Sequence, residues 1–265
     1  MGVLKKYVDV SKYQGNINFA RLAKAVDGVI IRAGYGKGVI DPYFHRNAEG
    51  CEKYGIPFGV YWFSYALNVP DAKAEAQACL SAIKGMQLEL PICFDFEYDS
   101  VRYAESNGVK IMKTRASEIA AAFLEEIENA GYFALNYANE DYCKNYFDTS
   151  IMKKYGLWYA RYLDNPDFDT RPRNCLIWQY SSTGKVDGIN GNVDVNVGYG
   201  DLTKIIRESG RNHLKTKEET NVKKWYAAAM EWAKAEGITD GSKPDEPATR
   251  AQVWAMLHRM AKKGE

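Results

Sequence analysis

Leu90-Pro91-Ile92-Cys93-Phe94-Asp95-Phe96-Glu97 is an apolar run that ends in two carboxylates two positions apart. The run reads as a buried strand over residues 91–97. In a strand alternate side chains share a face, and two steps span roughly 6.6 Å. Asp95 and Glu97 are therefore expected to point the same way from one rigid element, with an ionised Asp95 raising the pKa of Glu97. Two carboxyl groups of unequal pKa are what cleavage of a glycosidic bond requires. One protonates the leaving oxygen and the other stabilises developing positive charge. An isolated D-x-E is more often a pair of solvated acids, so the surrounding sequence decides.

Outward from this run, residues 1–207 alternate strand and helix patterns. Strands are expected at 7–10, 28–33, 58–64, 91–97 and 133–138, and three more follow closely at 157–161, 176–180 and 193–197. Helical patterns fall between the first five. The stretch 72–83 is Ala-rich, and 115–129 places Ile119, Phe123, Leu124 and Ile127 on one face. Eight strands with helices among the early ones only predict an α/β fold, a closed but irregular β/α barrel. A doubly wound sheet is the alternative, and the count of eight favours the barrel.

In such barrels chemistry collects at the C-terminal strand ends. Those ends carry Asp9, Arg32 with Tyr35, Tyr61, Asp95 with Glu97, Asn136-Tyr137, Trp158, Trp178-Gln179 and Asp194-Val195-Asn196. Four acids and a ring of aromatics are thus expected to converge on one mouth. Core packing absorbs most aromatics in any protein, and for Tyr61 and Tyr137 that reading is as strong as a substrate contact.

The stretches Asp9-Val10-Ser11-Lys12-Tyr13-Gln14-Gly15, Ile31-Arg32-Ala33-Gly34-Tyr35-Gly36, Gly59-Val60-Tyr61, Asp95-Phe96-Glu97, Trp178-Gln179-Tyr180 and Val193-Asp194-Val195-Asn196 occur in that order. Together they resemble the glycoside hydrolase family 25 lysozymes. The resemblance implies a (β/α)5(β)3 TIM-like barrel. It also implies cleavage of the β-1,4 bond from N-acetylmuramic acid to N-acetylglucosamine in peptidoglycan. Glu97 is then the general acid, and Asp95, Asp9 and Asp194 line the same floor. Tyr61, Tyr137, Tyr35, Trp178 and Gln179 become candidates for substrate contacts. Asp95 suits a substrate-assisted, retaining route, with one Asp as a covalent nucleophile left open. A carbohydrate-binding barrel that lost catalysis is the rival, and it would be expected to lack at least one of the four acids.

Residues 208–220 are charged and weakly apolar, the pattern of a linker. Beyond it, a short helix is expected at 225–236 and a second one after Thr249, whose spacing to Gln252 makes a capping box. Trp232-Ala233, Gly237-Ile238-Thr239-Asp240-Gly241, Pro244–Gln252 and Leu257-His258-Arg259 resemble one S-layer homology motif. That resemblance implies binding of a secondary wall polymer. The apolar face of 221–265 also suits homo-oligomers. A solvated tail or a hairpin packed on the barrel is the plainer alternative.

A formal net charge of +1 gives no electrostatic case for nucleic acid or membrane partners. Five scattered cysteines without a C-x-x-C pair suggest reduced thiols rather than a disulfide framework. With three dispersed histidines, neither a metal nor another cofactor is expected. The first residues show no charged-then-apolar leader, so the chain is expected to be made in the cytoplasm without a signal peptide. It would then reach the wall after release, as the lytic enzyme of a phage or prophage does. A surface-layer structural role rests on the C-terminal motif alone.

Overall fold

The computed structural model describes residues 4–214, 227–240 and 248–262. The chain forms two compact units, Met1–Leu214 and Lys215–Glu265. In the first unit the strands are β1 (Leu4–Val10), β2 (Gly28–Tyr35), β3 (Val39–Ile40), β4 (Phe58–Phe63) and β5 (Ile92–Asp95). They continue with β6 (Ala134–Asn139), β7 (Leu157–Ala160), β8 (Cys175–Gly184) and β9 (Val193–Tyr199). The main helices are α1 (Phe19–Leu22), α2 (Phe44–Tyr54), α3 (Val69–Ala82), α4 (Tyr98–Ser106), α5 (Lys113–Asn129), α6 (Thr149–Tyr155) and α7 (Leu202–Glu208).

Pairing runs β1-β9-β8-β7-β6-β5-β4-β2, and β1 also pairs with β2, so eight strands close into a barrel. The barrel steps from β1 through β8 are parallel, whereas β9 is antiparallel to both β8 and β1. The doubly wound alternative is excluded by this closure. β3 was not anticipated from the sequence. It is a two-residue strand that folds back on the end of β2, with Gly34 opposite Ile40 and Tyr35 opposite Val39. A Cβ at Gly34 would lie 2.4 Å from the Val39 carbonyl and 2.7 Å from the Trp62 ring, so only glycine permits this approach.

Strand alternation sorts the core into two layers. Tyr7, Ile30, Cys93, Leu135, Tyr137, Trp158 and Ile177 form one cluster inside the barrel, closed by Leu90 and by Leu202 of α7. Val8, Val10, Val29, Ile31, Trp62, Phe94, Phe96 and Trp178 belong to the other, together with Phe123 and Ile127 of α5. The centroids of Phe94 and Phe123 are 5.1 Å apart, which places this second layer between strands and helices.

Residues 208–214, assigned to a linker by composition, continue the first unit. The Asn212 side chain is buried and donates to the carbonyls of Leu88 (3.1 Å) and Leu90 (2.9 Å) while accepting from Phe133 N–H (2.7 Å). Its backbone lies in the left-handed region, φ 57°, which Asn tolerates better than most residues.

In the second unit α8 (Ala227–Ala235) and α9 (Arg250–Ala261) are helical. Trp225, expected at the start of the first of these, lies outside the described residues. Thr249 caps α9 as anticipated: Gln252 N–H donates to Thr249 Oγ1 (3.2 Å), and Thr249 N–H donates to Gln252 Oε1 (2.8 Å). Arg259 Nη1 donates to the carbonyl of the buried Ile238 at 2.8 Å. No helix among the described residues is long and apolar enough to cross a membrane. The cysteines are free, and Cys51, Cys79, Cys93 and Cys175 are buried.

Candidate active site

The C-terminal ends of the inward-facing strand positions carry Asp9, Arg32, Tyr61, Asp95, Tyr137, Gln179, Asp194 and Asn196. Asp9 on β1 sits directly across from Asp194 on the antiparallel β9. Opposed residues of such a pair share a face with Cβ atoms about 4.5–5.5 Å apart. One oxygen of Asp9, Oδ2, accepts from Gln179 Nε2 at 2.9 Å and from Asn196 Nδ2 at 2.8 Å. Asn196 Oδ1 in turn accepts from Trp158 Nε1 at 2.8 Å, which fixes the amide orientation. Gln179 Oε1 accepts from Tyr137 Oη (3.0 Å) and Tyr162 Oη (2.9 Å). The two amide nitrogens thus hold Asp9, while the two amide oxygens are held by Tyr137, Tyr162 and Trp158.

Glu97 arrives differently from the expected route. β5 stops at Asp95, and Glu97 lies beyond it at the N-terminal cap of α4, its N–H donating to Ser100 Oγ at 3.0 Å. The break follows from packing. Phe96 is buried and stacks on Phe94, with centroids 6.1 Å apart, and α4 begins two residues later. A turn rather than strand alternation therefore sets the position of Glu97 relative to Asp95.

Burial raises all four carboxyl groups, and charge from neighbouring carboxylates adds to it at Asp9, Asp95 and Glu97. Burial, then the charge of Asp194, pushes Asp9 up to about 8, against the pull of its two amide donors. Burial lifts Glu97 to about 7, helped by Asp99 and Asp194. Asp194 rises to about 6, mainly through burial, with a hydrogen bond to Asp9 opposing. Asp95 stands well above the usual carboxylate range through burial first, then Glu97 and Asp9, with Arg32 opposing. Asp95 is the more deeply buried of the two, and Glu97 takes its lift from burial first and then from Asp99 and Asp194 rather than from Asp95. Such a set exchanges protons as a unit. Asp95 Oδ1 is buried and has no hydrogen-bond partner among the described residues.

Tyr61 and Tyr137 are raised well above the ordinary phenol value, burial being the main cause, so both stay protonated donors. Tyr35 sits at the rim, 6.3 Å from Tyr65 in an edge-to-face pair. Trp178 does not reach the mouth. It occupies the outward parity of β8, 1% exposed, with Nε1 on the Arg161 carbonyl at 2.9 Å and its ring against Tyr159 and Phe168. Its neighbour Gln179 faces inward instead. Three mouth residues were given no role from sequence. Arg32 and Asn196 were legible from parity, two positions from Ile30 and from Asp194. Tyr162 follows the end of β7 and left no periodic signal. Arg32 Nε donates to the buried Asp41 Oδ2 at 2.7 Å, which anchors the cation beside the acids. The described residues contain no group of three or more His, Cys, Asp or Glu able to hold a metal ion.

A closed barrel whose mouth gathers four carboxyl groups of staggered proton affinity has the equipment of a glycoside hydrolase. Residues 8–189 match the model of glycosyl hydrolases family 25. The chain belongs to that family and is a glycoside hydrolase. It is 30% identical over 219 residues to the uncharacterized protein YegX of Escherichia coli strain K12, covering 75% of this chain and 71% of YegX. It is 24% identical to the autolytic lysozyme of Clostridium acetobutylicum, covering 72% of this chain and 54% of that protein. Among solved structures, the modular autolysin LytC from Streptococcus pneumoniae, in complex with a synthetic peptidoglycan ligand, superposes with a TM-score of 0.65 at 28% identity. That match covers 75% of this chain and 48% of LytC, so the chain spans about half the length of these two enzymes.

Proposed function

We propose that the protein is a lysozyme that hydrolyses peptidoglycan at the β-1,4 bond between N-acetylmuramic acid and N-acetylglucosamine, with retention and substrate assistance. The observation that carries the reading is the gathering of Glu97, raised to about 7, with Asp95, Asp9 and Asp194 at one mouth. Glu97 gives its proton to the glycosidic oxygen as the bond from that oxygen to the anomeric carbon breaks. Asp95 accepts from the N–H of the 2-acetamido group, whose carbonyl oxygen closes on the anomeric carbon. Water then attacks that carbon from the side the leaving group vacated, and its proton goes to Glu97. Two inversions leave the product β. Asp194, across from Asp9 on β9, balances the positive charge that develops at the ring. Gln179 and Asn196 hold Asp9 beside it. Tyr61 and Tyr137 are assigned to sugar contacts.

The irregular (β/α)5(β)3 form of the barrel belongs to this reading. So does an origin as a phage or prophage endolysin that reaches the wall after release. The unit from 221 onward is assigned as an S-layer-homology-like module that takes a secondary wall polymer or pairs with its copies. Its exposed Trp232, Trp254, Leu257 and Met260 support that assignment. Mass spectrometry of fragments released from purified walls tests the enzymatic claim. Muramic-acid reducing ends are the expected product, and glucosamine ends or free peptides would reject the bond assignment. Proton NMR of the earliest product should show the β anomer, and an initial α anomer would rule out substrate assistance.

A further inference from the structure

A cavity of 540 Å³ opens on the rim of the barrel, lined by Tyr35, Gly36, Lys37, Val39, Tyr65, Leu67, Asp99 and Tyr103. Three of these are tyrosines. Tyr65 lies between the other two, 6.3 Å from Tyr35 and 5.0 Å from Tyr103 by ring centroids. The cavity adjoins the candidate active site by chain connection on three sides: Tyr35 ends β2, Tyr65 follows β4, and Asp99 lies in the first turn of α4, which Glu97 caps.

Its wall is held in place. Tyr65 N–H donates to the buried Glu75 Oε1 at 2.9 Å, and Leu67 N–H donates to Asp71 Oδ2 at 3.2 Å. Both acceptors belong to α3, so the loop after β4 is tied to a helix at two points. On the opposite wall β3 holds Tyr35 in register against Val39. A pocket fixed in this way binds without a large ordering cost.

The two charged lining groups are paired. Lys37 Nζ sits on Asp71 Oδ1 at 2.8 Å, and Asp99 on α4 pairs with Arg102. What remains is three phenol rings with their hydroxyls and the apolar flanks of Val39 and Leu67. Flat apolar faces with a polar edge match a neutral pyranose, whose own faces are apolar and whose rim is hydroxylated. A stem peptide, bearing free carboxylates and amines, would find the charged groups of this wall already engaged.

We propose that this cavity is a sugar subsite on the Glu97 side of the mouth, taking a further saccharide unit of the glycan strand whose bond is cut. The assignment rests on the glycan-cleaving reading above. It makes the enzyme sensitive to strand length, with Tyr103 as the residue that adds affinity for long strands while standing apart from the acids.

The test uses glycan strands freed of stem peptides and sorted by length, with the full chain and its Tyr103→Ala and Tyr103→Phe variants. Tyr103→Ala should lower kcat/KM on long strands by about 3- to 10-fold, the worth of one aromatic contact. The shortest strand cleaved should change by less than about twofold, and Tyr103→Phe should retain the preference for long strands. Equal loss at every length, or none, overturns the subsite. Loss confined to strands that keep their peptides assigns the cavity to the peptide and also overturns it. A second measurement separates this outcome from failure of the parent reading. The pentamer of β-1,4-linked N-acetylglucosamine is titrated calorimetrically into the Glu97→Gln variant with and without Tyr103→Ala. Binding weakened by Tyr103→Ala supports the subsite even where wild-type protein cuts no strand, and unchanged or undetectable binding rejects it.

Discussion

The two faces of the same eight strands have been put to opposite uses. Trp62, Phe94 and Trp178 point outward into a layer filled by helix side chains, whereas Tyr61, Asp95 and Gln179 each sit one residue away and point into the mouth. The outward layer gains by excluding water from apolar surface, on the order of 25 cal/mol per Å² buried. The inward layer does the reverse near its C-terminal end. It buries four carboxyl groups whose pKa values all rise, which costs stability wherever they are ionised. One step along a strand therefore separates a residue selected for folding from one selected for chemistry.

The sharpest division of the two faces comes from Glu97→Gln set against Phe58→Ala. Gln keeps the shape at residue 97 but has no proton to give, so kcat should fall by about 10²–10⁴ with the melting temperature nearly unchanged. Phe58→Ala opens the outward layer at the far end of β4 and should cost about 3–5 kcal/mol in denaturant titration while leaving the acids in place. A Glu97→Gln protein that turns over normally would break the assignment of the inward face.

Next in size is the dependence of rate on pH. Glu97 must hold its proton, so activity should decline as pH rises through about 7. Asp194 must be ionised to balance charge at the ring, so activity should also decline as pH falls through about 6. The profile is a narrow bell whose limbs report the coupled set rather than single residues. Asp194→Asn should abolish the acid limb and keep the alkaline one, and an unchanged acid limb would assign it elsewhere.

The smallest expected effect concerns stability. Asp9 has its folded pKa raised to about 8, far above the unfolded value of about 3.9. The folded protein then binds the proton more tightly than the unfolded chain. This contribution is complete below the unfolded value and is lost as pH rises through the folded one. The melting temperature should decline across that window. Asp9→Asn should flatten the decline and raise the melting temperature near the upper end by about 2–4 °C, at the expense of activity. A variant that melts lower at every pH would mean that the Gln179 and Asn196 hydrogen bonds outweigh the burial of charge.

The same two faces explain what could be read beforehand. Strand alternation is a local property, so the barrel strands and the inward parity of Asp9, Tyr61, Asp95, Tyr137 and Asp194 were legible in residue order. Trp178 was misplaced because an aromatic next to a strand end looks alike whichever way it faces, and only the register of β8 against β7 and β9 settles it. Glu97 reaches the mouth through a turn and not through strand alternation, because the chain leaves β5 with Phe96 packed on Phe94. That burial more than Asp95 lifts Glu97 depends on depth, which no spacing encodes. β3 was too short to leave a periodic trace, and Tyr162 reaches Gln179 from a loop.

Asn212 gives the molecule an order of assembly in time. Its one side chain fastens the segment entering β5 to the segment entering β6, from a position after every strand of the barrel. Chains leave the ribosome N-terminus first. The early strands must therefore wait, with that end of the barrel unfastened, until nearly the whole first unit has emerged. A nascent chain halted at residue 207 would hold all eight strands and still lack its clasp.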